Sequence, residues 1–298
     1  VDIQKPHELI HGVFNFKIEL PIGRFKEYNL DENAVWRLTM NELTNVAILA
    51  AKEAGTYLRA NFEKAIDQIK EKADHSLATN LDQEAEEMIV ARIRSKFPAH
   101  AILGEERGLD GQLGAAADEY LWIIDPLDGT HNYIRGIGIF GVSVGLFFKE
   151  HFISGVIYLP LTDELYVGER GTGAYKNEQK ITVSTTKSLA DSTISFDSDI
   201  KRNPDLKLSL FKEISQAVFN VRMLGSTVRI LSYLAEGKLD ASIELTDSAW
   251  DFAAGACILQ AAGGTITDLQ GNPITYQTKG YLASNGLLHQ DLQALLSK

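Results

Sequence analysis

Asp125-Pro126-Leu127-Asp128-Gly129-Thr130, entered from the apolar run Leu121-Trp122-Ile123-Ile124, sets two carboxylates, a hydroxyl and a glycine at what reads as the end of a buried strand. Hard oxygen ligands in that arrangement suit a divalent cation such as Mg²⁺, which can bind carboxylates and phosphate oxygens together. Pro126 biases Asp125 toward extended geometry and is expected to stop the strand ladder; a turn tightening into a helix start would then bring Asp125 and Asp128 to one side. Gly129 lets the backbone come close to a ligand, and Thr130 offers a hydroxyl and an amide at a helix N-terminus, where anions are favoured. The same six residues also read as two ordinary turn dipeptides, Asp125-Pro126 and Asp128-Gly129, and alone they do not decide between the readings.

Other acidic groups have equally plain local readings. Asp82 opens a helical pattern three residues after Thr79 and fits a capping-box variant. Gly104-Glu105-Glu106 follows Ala101-Ile102-Leu103 and reads as a solvated acidic turn, while Asp251, in Ser248-Ala249-Trp250-Asp251, suits the positive end of a helix dipole. Their placement argues for more. Glu105, Asp125, Asp128 and Asp251 all sit just beyond an apolar strand or at a helix start, where layered folds build ligand sites. Carboxylates without Cys pairs or close His pairs suit Mg²⁺ or Mn²⁺ better than zinc. His131 reads as a surface or substrate-edge residue, and Cys257, set among Ala253, Ala254, Ala256, Ile258 and Leu259, as a buried structural thiol.

Helical spacing marks the elements that must hold these groups: residues 41–64 and 80–97, then 205–219, 226–236, 249–262 and 289–297. Short strands are expected at 101–103, 121–124, 142–148, 152–158 and 165–168, with a hairpin turn at Gly171-Thr172-Gly173, and later at 192–196, 221–224, 241–245 and 265–268. Strands in runs followed by strands alternating with helices favour an α+β or layered α/β sandwich over a doubly wound sheet. Residues 1–38 read as an N-terminal extension forming a β-hairpin, with an α+β half over 39–185 and an α/β half over 186–298. The stretch from Gly111 to Ala117 is expected to be a mobile loop.

The chain has 298 residues and is 45% apolar, enough for a sizeable core. A formal net charge of -11 argues against binding a nucleic-acid polymer. One cysteine excludes an internal disulfide framework and suits a reducing compartment. With no apolar run of membrane-spanning length and no signal-peptide pattern at Val1, the expectation is a soluble cytoplasmic protein without membrane partners.

Taken together, Lys72 through Asp82, Gly104-Glu105-Glu106, Asp125 through Thr130 and Trp250-Asp251-Phe252-Ala253-Ala254-Gly255 resemble the signature blocks of the inositol monophosphatase family, in the family's order across about residues 41 to 296. The resemblance implies a lithium-sensitive, Mg²⁺-dependent phosphomonoesterase, commonly a homodimer, with an alternating αβαβα layered sandwich of mixed, largely antiparallel sheets. It implies that Glu105, Asp125, the Leu127 carbonyl, Asp128 and Asp251 hold two or three metal ions, Mg²⁺ or alternatively Mn²⁺. It also turns Asp82 from a cap into the partner of Thr130, the pair activating the attacking water. Lys72 and the Gly129 and Thr130 amides would face the phosphate. Gly225-Ser226 and Glu244 resemble the inositol branch, which points to a small phosphorylated polyol such as inositol monophosphate. Histidinol-phosphate phosphatases, bisphosphate nucleotidases and fructose-1,6-bisphosphatases share the metal blocks and stand as alternatives. His131, usually Thr in the family, and the N-terminal extension depart from the inositol pattern. A reading from another class is a metal-binding regulatory protein that contacts a partner through residues 1–38.

Overall fold

Residues 9–10, 13–19, 25–31, 40–62, 69–71, 77–111 and 120–296 are described by a computed structural model. The chain divides into two units, Val1–Glu42 and Leu43–Lys298. In the first, strands β1 (Leu9–Ile10), β2 (Val13–Glu19) and β3 (Phe25–Asp31) form an antiparallel sheet, with β2 and β3 paired from Val13↔Asp31 to Glu19↔Phe25.

The second unit is a layered α/β sandwich built on two mixed sheets. Helix α1 (Glu42–Asn61) is followed by a small ladder of β4 (Ile69–Glu71) and β5 (Leu77–Thr79), which leads directly into α2 (Asn80–Lys96). The larger sheet collects β6 (Ala101–Gly104), β7 (Gly108–Asp110), β8 (Leu121–Asp128), β9 (Gly141–Phe148), β10 (His151–Leu159), β11 (Glu164–Glu169), β12 (Gly173–Lys176) and β13 (Gln179–Ile181). Its order is β13-β12-β11-β10-β9-β8-β6-β7, antiparallel except for the parallel pair β6 and β8. The short helix α3 (Thr130–Ile134) lies between β8 and β9.

The smaller sheet, in order β15-β14-β16-β18-β17, is made of β14 (Thr193–Phe196), β15 (Asn220–Arg222), β16 (Ala241–Glu244), β17 (Thr265–Thr267) and β18 (Tyr281–Ser284). The remaining helices are α4 (Pro204–Ala217), α5 (Thr227–Ala235), α6 (Ala249–Ala261) and α7 (His289–Leu296). Between the sheets lie α5 and α6, whose Leu231, Phe252 and Ala256 pack with Ile123 and Phe147 on one side and Tyr281 and Ala283 on the other. Helices α4 and α7 cover the far face, where Ile214 and Leu292 meet Phe196, Ile243 and Leu282. Strands β4, β5, β7, β12, β13 and β18 are additions to the sequence expectation; β7, β12 and β13 are short and only partly buried, so their apolar pattern is weak.

Helix α6 sits unusually close to the large sheet. Gly145, Gly155 and Gly168 lie side by side on β9, β10 and β11, paired Gly155↔Gly145 and Gly155↔Gly168. A Cβ at Gly145 would stand 2.8 Å from the Ala253 Cβ and one at Gly168 2.5 Å from the Ile258 Cα, while one at Gly155 would collide with the Ala254 carbonyl. Only a glycine stripe admits α6 at this distance, and its N-terminus thereby arrives beside β8. Cys257, on the same face, is buried; its thiol donates to the Gly168 carbonyl at 3.4 Å and burial pushes its pKa up to about 12, as befits a structural thiol. No helix among the described residues is long and apolar enough to cross a membrane.

Candidate active site

Strand β8 does not end at Pro126. It is buried from Leu121 to Asp128, pairs with β9 as far as Asp125↔Ser143, shifts register and resumes at Asp128↔Gly141. The expected stop at Pro126 is therefore corrected to a bulge, where a residue without an N–H is tolerated. That bulge, rather than a helical turn, brings Asp125 and Asp128 to one side. Within it the Leu127 amide donates to Asp125 Oδ1 at 2.9 Å. Gly129 then takes φ 81°, a left-handed conformation that costs glycine little, and α3 begins at Thr130.

Asp251 reaches the same place from the N-terminus of α6. Its Oδ2 accepts the Ser248 amide at 2.7 Å, so the helix-end role expected of it is kept, yet a carboxylate oxygen from each of Asp125, Asp128 and Asp251 lies within 4.8 Å of the other two. Asp128 is held by the start of α5, accepting the Ser226 hydroxyl and the amides of Thr227 at 3.0 Å and Val228 at 3.2 Å. Glu105 follows β6, whose parallel register sets Gly104 opposite Ile124, and its amide donates to the Ile124 carbonyl at 3.3 Å.

Electrostatics make this cluster a candidate cation site. Burial, followed by the charges of Glu105, Asp128 and Asp251, holds Asp125 well above the usual carboxylate range. Asp251 is raised in the same direction by burial, Asp247 and Glu105. Burial lifts Asp128 to about 7 even though the Ser226 hydroxyl and the two amides pull it down. Buried carboxylates that oppose one another's ionisation need a positive partner. The donors are all hard oxygens, and the residues present fit Mg²⁺ or Mn²⁺.

Beside the cluster, the Thr130 hydroxyl stands 3.2 Å from Asp82 Oδ1 and 3.0 Å from the Leu127 carbonyl oxygen. Asp82, fully buried on α2, faces Thr130 instead of serving only as a cap. Gly225, at φ 65°, and Ser226 precede α5, and Asn132 of α3 fixes that approach by donating to the carbonyls of Leu224 at 2.9 Å and Gly225 at 3.1 Å. Glu244 closes β16, buried and raised well above its ordinary range by burial and then Asp247. His131 is exposed. Lys72 and most of the Gly111–Ala117 stretch, residues 112–117, lie outside the described residues, as does the side chain of Thr79.

Two acidic groups escaped the sequence reading. Asp247 accepts the Thr227 hydroxyl at 2.7 Å, and burial, opposed by that bond, lifts it to about 6. In Leu245-Thr246-Asp247 it carries only a turn signal. Asp197, directly after β14, forms a buried ion pair with Lys207 at 2.7 Å and accepts the Leu245 amide at 3.1 Å, bracing the end of β16. Its position beyond an apolar strand is the signal that singled out Asp125, and could have found it.

Two mixed sheets enclosing a helical layer, with an acidic cluster at the meeting of β8, α5 and α6, form a layered α/β sandwich carrying a candidate metal centre. The family model of the inositol monophosphatase family matches residues 39–298. Among relatives, the fructose-1,6-bisphosphatase/inositol-1-monophosphatase of Aquifex aeolicus is 37% identical over 262 residues, 87% of this chain and 97% of that one. The Nus factor SuhB of Pseudomonas aeruginosa is 35% identical over 82% of this chain and 92% of its own. The solved inositol monophosphatase of Anabaena superposes with a TM-score of 0.76 at 34% identity, covering 86% of this chain and 95% of that one. The chain belongs to the inositol monophosphatase family and is a phosphoric monoester hydrolase.

Proposed function

We propose that this chain hydrolyses a small polyol phosphate, most specifically inositol monophosphate, to the free alcohol and phosphate. The convergence of Asp125, Asp128 and Asp251 beside the Asp82–Thr130 hydrogen bond carries the reading. Glu105, Asp125, the Leu127 carbonyl, Asp128 and Asp251 would hold two or three Mg²⁺ ions. A metal held there would neutralise phosphate charge, acidify a water and stabilise the leaving alkoxide. The amides of Gly129 and Thr130, with Lys72, hold the phosphate. Thr130 Oγ1 accepts a proton from the attacking water and passes its own to Asp82. The phosphorus–oxygen ester bond breaks as the water oxygen bonds to phosphorus, and the leaving alkoxide takes its proton from a solvent water, whose hydroxide is neutralised by the proton that Asp82 gives up as the site resets. No covalent enzyme intermediate forms. On the alcohol side, Glu244 accepts a substrate hydroxyl, and Gly225 and Ser226 are assigned to substrate binding with it. The family likeness extends the proposal to lithium inhibition, a homodimer and a cytoplasmic setting.

Phosphate release from inositol 1-phosphate, histidinol phosphate, adenosine 3′,5′-bisphosphate and fructose 1,6-bisphosphate, with and without Mg²⁺, tests this. The largest kcat/KM is expected for inositol 1-phosphate; absence of Mg²⁺-dependent release from all four would overturn the proposal. A second reading, that the chain also acts as a regulatory factor, is favoured by relatives named Nus factor SuhB. Removing residues 1–38 tests it: intact catalysis with loss of a partner would support the dual role.

A further inference from the structure

Four residues past Asp82, α2 buries a second carboxylate that the reaction above does not use. Glu86 has no exposed surface, a costly place for an ionisable group unless its oxygens are well bonded. Both are: Oε2 accepts the Glu106 amide at 2.9 Å and Oε1 accepts the Arg107 amide at 3.1 Å. The Arg107 guanidinium adds a more distant contact, 3.9 Å from Oε1. Across the carboxylate stands Gly104, where a Cβ would come within 2.6 Å of all three carboxyl atoms. An alanine there would have to displace Glu86. The glycine before Glu105 and the two amides after it therefore enclose one buried side chain, and Glu105 is the residue in between.

The grip also has a direction. Glu105 is tied to β8 through its amide and the Ile124 carbonyl, one residue before Asp125, while Glu86 holds the next two amides from the α2 side. Asp82 and Glu86 face the site from one side of a single helix, both fully buried, so α2 positions the water-side carboxylate and the Glu105 turn together.

We propose that Glu86 is a positioning residue: through the Glu106 and Arg107 amides it holds Glu105 beside Asp125, and it would thereby set the affinity of the acidic cluster for a divalent ion. The proposal rests on the metal assignment of the preceding section. Partners one step behind metal ligands typically change metal affinity 10–100-fold when removed.

Mn²⁺ binding to the full chain, followed by electron paramagnetic resonance and equilibrium dialysis, tests it without reference to turnover. Glu86→Gln keeps the shape but sets an NH₂ against an amide donor. It is expected to weaken Mn²⁺ binding by about tenfold or more. At saturating metal, KM should be unchanged while the half-saturating Mg²⁺ concentration rises. Gly104→Ala, which crowds the same carboxylate from the other side, should give the same pattern and decides the matter if Glu86→Gln does not fold. Arg107→Ala keeps both amides and should bind Mn²⁺ as the wild type does; a loss equal to that of Glu86→Gln would overturn the amide route. A folded Glu86→Gln chain with unaltered Mn²⁺ binding would overturn the proposal alone. A wild-type chain binding no Mn²⁺ would overturn the metal assignment itself.

Discussion

Thr130 Oγ1 lies 3.2 Å from Asp82 Oδ1 and 3.0 Å from the Leu127 carbonyl oxygen, so a hydroxyl with a single proton stands between a carboxylate and a proposed metal ligand. The two contacts imply different roles. Donation to Asp82 leaves the Thr130 oxygen a lone pair to accept from water; donation to Leu127 would make it a brace for the metal site.

Thr130→Ala separates them. In the proposed reaction the variant loses the path of the water's proton, and kcat should fall by about 10²–10⁴ while Mn²⁺ affinity stays unchanged. Pre-steady-state phosphate release and metal titration on the same sample check this. Weaker metal binding with normal kcat at saturation would assign Thr130 to the Leu127 carbonyl instead.

Metal removal should make stability pH-dependent in a defined sense. In the metal-free protein Asp128 is lifted to about 7 by burial, and Asp125 and Asp251 are raised in the same direction, whereas in the unfolded chain such groups titrate near 4. Between about pH 4 and pH 7 the native state retains protons that the unfolded chain has released, so stability falls as pH rises through that window. Thermal unfolding in chelator should therefore give a lower Tm at pH 8 than at pH 5. Added Mg²⁺ should raise Tm more at pH 8, where the carboxylates are ready to bind it. A metal-free Tm that rises from pH 5 to pH 8 would contradict the electrostatic account.

Gly155→Ala probes the packing that delivers Asp251. Its Cβ would meet the Ala254 backbone, which cannot rotate away as a side chain can. Overpacking of this kind costs about 1–3 kcal/mol, and more where backbone must move. Because the collision falls on the first turns of α6, metal affinity should fall together with stability. Urea unfolding and Mn²⁺ titration check both; a destabilised variant with normal metal affinity would show that α6 yields without moving Asp251.

Local patterns carried much of this architecture, and the exceptions have physical causes. The apolar spacing of α2, α5 and α6 and the buried run of β8 are visible in the sequence because core burial imposes periodicity on neighbouring residues. The family of the chain was legible in four separated blocks around Asp82, Glu105, Asp125 and Asp251. What escaped depends on partners remote in sequence. The glycines at 145, 155 and 168 look like unrelated strand interruptions until the register sets them side by side. Asp247 lacks a local signal because its partner, the Thr227 hydroxyl, is 20 residues away. The β8 bulge was misread because Pro126 is a strand breaker in general, and only the pairing with β9 beyond it shows the ladder resuming at Asp128.

Glu244 offers the sharpest test of substrate choice. It shares the end of β16 with no proposed metal ligand, lies opposite Tyr281 on β18, and is braced through the neighbouring Leu245 amide by the Asp197–Lys207 pair. If its carboxylate accepts a hydroxyl of the alcohol, Glu244→Gln should weaken only substrates that present one. A hydrogen bond to a charged group contributes about 1.5–3 kcal/mol, so kcat/KM for inositol 1-phosphate should drop roughly 10–100-fold. With p-nitrophenyl phosphate, whose leaving group has no ring hydroxyls, the variant should match the wild type within about twofold. Asp251 also bears on Glu244 electrostatically, and that supplies the opposing outcome: equal losses on both substrates, with weaker Mn²⁺ binding, would place Glu244 in support of the metal cluster and remove it from recognition of the alcohol.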